Sequence, residues 1–251
     1  MPIARREFLK TGAGLASALL LTTPAAAGLR TKYKAIAFDA FPVFDPRPVA
    51  ALCETLFPGR GIELINMWRI RQFEYTWLRT VSNRYADFAH VTDDALMFAA
   101  KTLKLEMTNE KREQLTKAHF ELKTWPDVIP ALTKLKEAGI SLAFLSNFTA
   151  GMLNGCIKSA GLDGVFDQVL STDLAKAFKP DARAYQLGVN ALRLPRDEIL
   201  FVAFAGWDAA GAKSFGYPTF WVNRLGLPQE ELGVGPDAIG ANLTDLLTFL
   251  A

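Results

Sequence analysis

The feature that most constrains this chain is the run Ala35-Ile36-Ala37-Phe38, which ends on Asp39 and is followed by a long stretch with almost no strand signal. Four apolar residues in a row fit a strand buried on both faces, and Pro42 falls just beyond its end. An acid at the carboxyl end of a buried strand stands where open α/β sheets keep their chemistry. Ending the strand and turning the chain is an equally good use for Asp39 taken alone.

Pro46 and Pro48 break the extended pattern, and from residue 49 to 121 the periodicity is helical. Leu64, Met67, Trp68, Tyr75 and Leu78 recur at helical spacing within 63–81. Asp93-Asp94 is placed to start the next helix, running to residue 103, and Thr108 to cap one over 112–122. From Trp125 the pattern alternates. It predicts helices over 127–138, 152–160, 182–192 and 209–215, and strands over 141–145, 166–170, 199–203 and, as the last, 219–222. Strands alternating with helices predict an α/β fold, a doubly wound parallel sheet covered on both faces, with a helical cap inserted after the first strand. The corresponding division is a leader at 1–27, core at 28–45, cap at 46–125 and core again at 126–251. No internal repeat and no phosphate-binding glycine fingerprint occurs.

Polar residues collect at the predicted carboxyl ends of these strands. Ser146 and Asn147 follow one strand, Lys179 follows the next across a short loop, and Asp208 lies just past the next. In a parallel sheet those ends lie side by side, so Asp39, Ser146, Lys179 and Asp208 converge. Singly, each has a duller use: Ser146-Asn147 as a turn, Lys179 as a solvated cation, Asp208 as a helix N-cap.

Charge excludes a nucleic-acid partner. Residues 1–27 carry three of the 28 basic side chains and one of the 26 acidic ones, so the rest of the chain is neutral. That segment has Arg5-Arg6, a weakly apolar run over 12–21 and a small-residue site at Ala25-Ala26-Ala27, the pattern of a cleaved export signal. The run is too short to serve as a stable membrane anchor. Cys53 and Cys156 fall on separate predicted helices and read as buried free thiols. His90 and His119 have no acid or cysteine at ligand spacing and read as surface or helix-packing residues.

With these residues in place, the chain resembles the haloacid dehalogenase superfamily, and within it the type II L-2-haloacid dehalogenases. The resemblance rests on Phe38-Asp39-Ala40-Phe41, on Trp68-Arg69 with Glu74 to Arg79, on Leu145-Ser146-Asn147, on Lys179-Pro180-Asp181 with Tyr185, and on Trp207-Asp208-Ala209. It implies a Rossmann-type core with a helical cap, and a hydrolase working through an ester on Asp39 that water cleaves with help from Asp208. Lys179 would pair with Asp39, Ser146 and Asn147 would bind the substrate carboxylate, and Arg69 would receive the halide. Ala40, Phe41, Ile70, Phe73, Phe88, Phe204, Tyr185 and Trp207 would line or flank the substrate.

The resemblance also implies what is missing. The acids that phosphatases of this fold place two residues after the nucleophile and four before the last aspartate are Phe41 and Phe204, so no metal is expected. The Gly-Thr of the first dehalogenase motif is Pro42-Val43, and the Ser and Asn before Trp207-Asp208 are Ala203 and Ala205, none of which can donate a side-chain hydrogen bond. Expected partners are a small 2-haloacid or related carboxylate, the twin-arginine export machinery leading to the periplasm, and a second copy of the chain. The alternatives are an attenuated member that binds a small carboxylate, and a hydrolase for another leaving group.

Overall fold

The structure, a computed structural model, describes residues 31–251, and the expected leader lies outside them. In chain order it contains β1 (Ala35–Phe38), α1 (Ala40–Val43), α2 (Arg47–Leu56), α3 (Gly61–Val81), α4 (Phe88–Thr102), α5 (Asn109–Lys117) and α6 (Val128–Glu137). There follow β2 (Ser141–Ser146), α7 (Ala150–Ala160), β3 (Gln168–Ser171), α8 (Ala182–Leu192), β4 (Ile199–Ala203), α9 (Gly206–Phe215), β5 (Thr219–Val222), β6 (Ala238–Gly240) and α10 (Leu243–Leu250).

All six strands are parallel, in the order β3-β2-β1-β4-β5-β6. The chain runs outward from β1 through β2 and β3, then returns to lay β4 on the other side of β1. That reversal opens the crevice at the carboxyl end of β1, beside Asp39.

Side-chain alternation explains why β1 is apolar throughout. Ile36 and Phe38 face one cluster with Phe144, Val202 and Phe220, while Ala35 and Ala37 face another with Tyr185, Phe201 and Trp221. The first cluster continues through Phe44 and Phe148 into Leu64, Trp68, Val91 and Leu96, so sheet and inserted helices share one apolar body. The two strands of chain linking core and insertion pair with each other: Phe44 bridges Thr124, and Asp45 N–H donates to the Lys123 carbonyl at 2.8 Å. Within the insertion, Trp68 on α3 donates its indole N–H to the Thr92 carbonyl at 2.7 Å, and Gln72 reaches the Thr92 hydroxyl at 2.6 Å. These bonds fix the rotation of α3 about its axis, and with it the direction of Arg69.

Several boundaries depart from the sequence expectation. Helix α4 starts at Phe88, capped by Asp87 whose carboxylate accepts the His90 N–H, rather than at Asp93-Asp94. Those two acids lie inside the helix and pair with Arg112 and Arg79. Strand β5 is not the last: β6 and α10 follow it. Asn242 capping Leu243, Leu246 and Leu250 is a readable helix signal, whereas the three residues of β6 show none. Cys53 and Cys156 are free and buried, and burial pushes both thiols up to about 12. His90 is exposed beside Asp94, while His119 is buried against Trp68, which pushes it down to about 4.

Candidate active site

Asp39 is the N-cap of α1, and its own N–H donates to the Val202 carbonyl on β4 at 3.0 Å. The Phe41 N–H donates to Asp39 Oδ2 at 3.2 Å. Pro42 falls at the third position of this helix, where an N–H has no intrahelical partner anyway, so proline fits there and leaves the Phe41 N–H to the carboxylate. Asp39 Oδ1 accepts from Ser146 Oγ at 3.2 Å, at the end of β2, and from Lys179 Nζ at 2.8 Å.

Lys179 is 1% exposed and donates a second bond, at 2.6 Å, to Asp208 Oδ2. Burial works against its charge, but Asp208 and Asp39 outweigh it and raise its pKa above the ordinary lysine value. The loop carrying it is tied down from two sides. Asn147 Oδ1 accepts the Lys179 N–H at 3.0 Å, and Thr80 Oγ1 on α3 accepts the Phe178 N–H at 3.1 Å. Asn147 Nδ2 stays buried with no partner, on the cavity wall.

Asp208 lies in the first turn of α9, whose N-cap is Ala205 and carries no side-chain bond, so the aspartate is not the cap. It is 2% exposed, and burial pushes its carboxyl up to about 6 against the opposing pull of Lys179. Its Oδ1 accepts the Tyr185 hydroxyl at 2.7 Å. Gly211 makes room for that hydroxyl: a Cβ there would stand 2.6 Å from it.

Asp39, Ser146, Asn147 and Asp208 face a cavity of about 30 Å³ together with Arg69 from α3. Arg69 has no acidic or carbonyl partner among the described residues, and burial lowers its pKa. The remaining wall is aromatic. Phe41 packs edge-on against Phe148 at 5.2 Å and tilted against Phe204 at 5.6 Å, Phe73 meets Trp207 at 5.2 Å, and Phe88 stacks on Phe148 at 5.6 Å. A larger hollow of about 500 Å³ between Trp77, Trp207 and Leu232 has no ionisable side chain on its wall, so the small cavity is the candidate site.

Three residues expected at the substrate stand elsewhere. Ile70 is 62% exposed, because one residue beyond Arg69 the helix has turned about 100° and points it at an outer groove. Tyr185 sits behind Asp208, buried on α8, and is not on the wall of the cavity. Ala40 is buried in the apolar core under α1. Phe148 was not anticipated and completes the wall.

Sequence reading also missed a brace under the nucleophile turn. Trp125 donates its indole N–H to the Phe41 and Phe44 carbonyls at 2.9 and 3.1 Å. Arg224 donates to the Pro42 carbonyl at 2.8 Å while pairing with both oxygens of Asp127. Tryptophan after a strand-linked segment and arginine after β5 carry no local signal of this role.

Residues 14–216 match the profile of the haloacid dehalogenase-like hydrolases. Among curated proteins, the chain is 43% identical over 205 residues to the (S)-2-haloacid dehalogenase of Pseudomonas sp. (strain YL), covering 81% of this chain and 88% of that one. It is 38% identical over 207 residues to haloacetate dehalogenase H-2 of Moraxella sp. (strain B), covering 82% and 92%. Among solved structures, the L-2-haloacid dehalogenase RSc1362 superposes with a TM-score of 0.86 at 42% identity, covering 87% of this chain and 98% of that one. The Xanthobacter autotrophicus L-2-haloacid dehalogenase with chloropropionic acid covalently bound superposes with a TM-score of 0.80 at 34% identity, covering 86% and 98%.

Proposed function

We propose, from the premise that this chain belongs to the haloacid dehalogenase-like hydrolases and among them to the (S)-2-haloacid dehalogenases, that it cleaves the carbon–halogen bond of 2-haloacids through an ester on Asp39. The observation that carries the reading is Lys179, buried behind the cavity and bonded at once to Asp39 and Asp208, the two acids that face it together with the unpaired Arg69.

The residues divide the work by their partners. Asp39 Oδ1 is engaged by Lys179 and Ser146, so Oδ2, held only by the Phe41 N–H, is the oxygen that attacks the halogen-bearing carbon. The bond to halogen breaks as the ester bond forms, and the halide leaves with its electron pair toward Arg69. Asn147 Nδ2, buried and unpaired, is placed to donate to the substrate carboxylate. A water then attacks the ester carbonyl carbon, giving its proton to Asp208 and releasing the 2-hydroxyacid and the Asp39 carboxylate. Phe41 and Phe204 fill the cavity wall where the phosphatases' extra acids would stand, so we read the reaction as metal-independent.

Val43 and Ala203 are wholly buried, and Ala205 faces the cavity, so three positions lack donors that the resemblance leads one to expect. They favour a slow enzyme, and a carboxylate binder as the second reading. The test is halide release from (S)-2-chloropropionate by the protein from residue 28 onward, with EDTA present. Turnover in H2-18O labels Asp39 if the ester forms. No halide, no label and clear thermal stabilisation by propionate leave the binder. Export to the periplasm rests on Arg5-Arg6 and the alanine site, and processing that survives replacement of both arginines with lysine ends that part of the proposal.

A further inference from the structure

The catalytic cavity of about 30 Å³ backs onto a second hollow across its aromatic wall. Arg69, Phe73, Phe204, Ala205 and Trp207 also border an outer groove of about 620 Å³. Ala205 is the smallest piece of that partition, a single methyl between Phe204 and Trp207. The groove floor is apolar, and three of the large hydrophobic side chains that the protein exposes gather on it: Ile70 at 62%, Leu225 at 51% and Leu227 at 54%. Exposed apolar residues concentrated on one concave surface mark a binding site rather than ordinary scatter. Glu230 is the one acid on the groove, packed over Gly206, where a Cβ would stand 2.9 Å from its Cγ.

We propose that this groove is a subsite for the substrate's carbon chain, so that the protein prefers 2-haloacids with an extended apolar tail over the shortest ones. The proposal rests on the dehalogenase reading. The carboxylate and halogen occupy the inner cavity between Asn147 and Arg69, and carbons beyond the third pass Ala205 to lie on Leu225 and Leu227. Glu230 rejects a tail that ends in a second carboxylate.

The experiment measures kcat/KM for (S)-2-bromopropionate, -butyrate, -hexanoate and -octanoate, and the melting-temperature rise given by the corresponding 2-hydroxyacids, which need no turnover. Complete burial of a methylene is worth about fourfold, so a groove open on one side gives about twofold per added carbon. The double variant Leu225→Ser/Leu227→Ser flattens that slope and leaves the propionate rate within about twofold, since both side chains are half-exposed and surface changes of this kind cost little stability. 2-Bromoadipate is a poorer substrate than 2-bromohexanoate, and Glu230→Gln narrows the gap. A slope that is flat or falling with length, in both turnover and stabilisation, overturns the subsite. A rising stabilisation slope with no halide released from any acid upholds the groove and defeats the hydrolase reading alone.

Discussion

The core side and the cap side of the cavity each hold one cation, Lys179 fully buried behind the acids and Arg69 half-buried in the wall, and the two are treated in opposite ways. Lys179 on the core side is bonded to two carboxylates, its backbone N–H is held by Asn147, and the loop before it is pinned by Thr80. Arg69 on the cap side stands half-buried among Phe41, Phe73 and Phe204 with no partner among the described residues. A cation already neutralised by two acids orients them and gains little when charge moves nearby. A cation left unpaired in an apolar wall gains most when an anion is released beside it, and only interactions stronger in the transition state accelerate the reaction. The molecule separates positioning from leaving-group stabilisation by assigning them to two walls.

Breaking the core wall has the largest expected effect. Asp39→Asn removes the nucleophile and lowers halide release by about 10⁴-fold or more, measured with the folded variant in excess over trace contaminants. Lys179→Met leaves two carboxylates facing each other without a cation, and a chemical denaturation curve should show a loss of about 3–5 kcal/mol.

The cap wall breaks differently. Arg69→Met should lower kcat by about 10²–10³-fold, the scale of removing one donor from a developing anion. Its unfolding free energy should stay within about 1 kcal/mol of wild type, because no native ion pair is lost. A large destabilisation by Arg69→Met would erase the distinction between the walls.

The pH profile sharpens the same comparison. Asp208 must be ionised to take a proton from water, and burial has raised it to about 6, so the rate falls as pH drops through that value. The sign for stability is the reverse of an acid whose pKa is depressed: the folded carboxyl keeps a proton that an unfolded one has lost, so this group's contribution declines as pH rises from about 4 toward 6. Lys179 has a raised pKa, so its stabilisation is complete below the ordinary lysine value and is lost as pH climbs through the folded one. Tyr185→Phe removes a bond to Asp208 that favours its ionised form, and should move the acid limb of kcat up by about one unit, the equivalent of about 1.5 kcal/mol.

The smallest effect is a gain. Val43→Thr, Ala203→Ser and Ala205→Asn together should recover about one net hydrogen bond, about 1 kcal/mol or fivefold in kcat on the shortest acid. Only Ala205 faces the cavity, while Val43 and Ala203 are buried in different apolar clusters, so most of the gain should come from Ala205→Asn.

Much of the fold and site was legible because both depend on local rules. Strand ends converge whenever strands are parallel, so Asp39, Ser146, Lys179 and Asp208 could be placed together from spacing alone. Helix starts were legible at Thr108 and misread at Asp93-Asp94, because the acid that caps the helix, Asp87, stands further upstream. Strand β6 was lost because three half-exposed residues show no periodicity.

What the sequence by itself determined is therefore the alternation of elements up to β5, the parallel sheet and the identity of the charged groups, since periodicity, turn residues and strand direction are properties of short segments. Only the tertiary structure decided which neighbour of each such group faces the cavity. Ile70 and Arg69 are adjacent in the chain yet point to the outer groove and the inner cavity, because the bonds of Trp68 and Gln72 to Thr92 fix how α3 is rotated. Tyr185 supports Asp208 instead of touching substrate because α8 packs on the opposite face of the sheet. Arg224, Asp127 and Trp125 meet beneath Pro42 from three distant segments. Such contacts depend on the angle and distance between packed elements, which the whole core sets at once and no single window of sequence records.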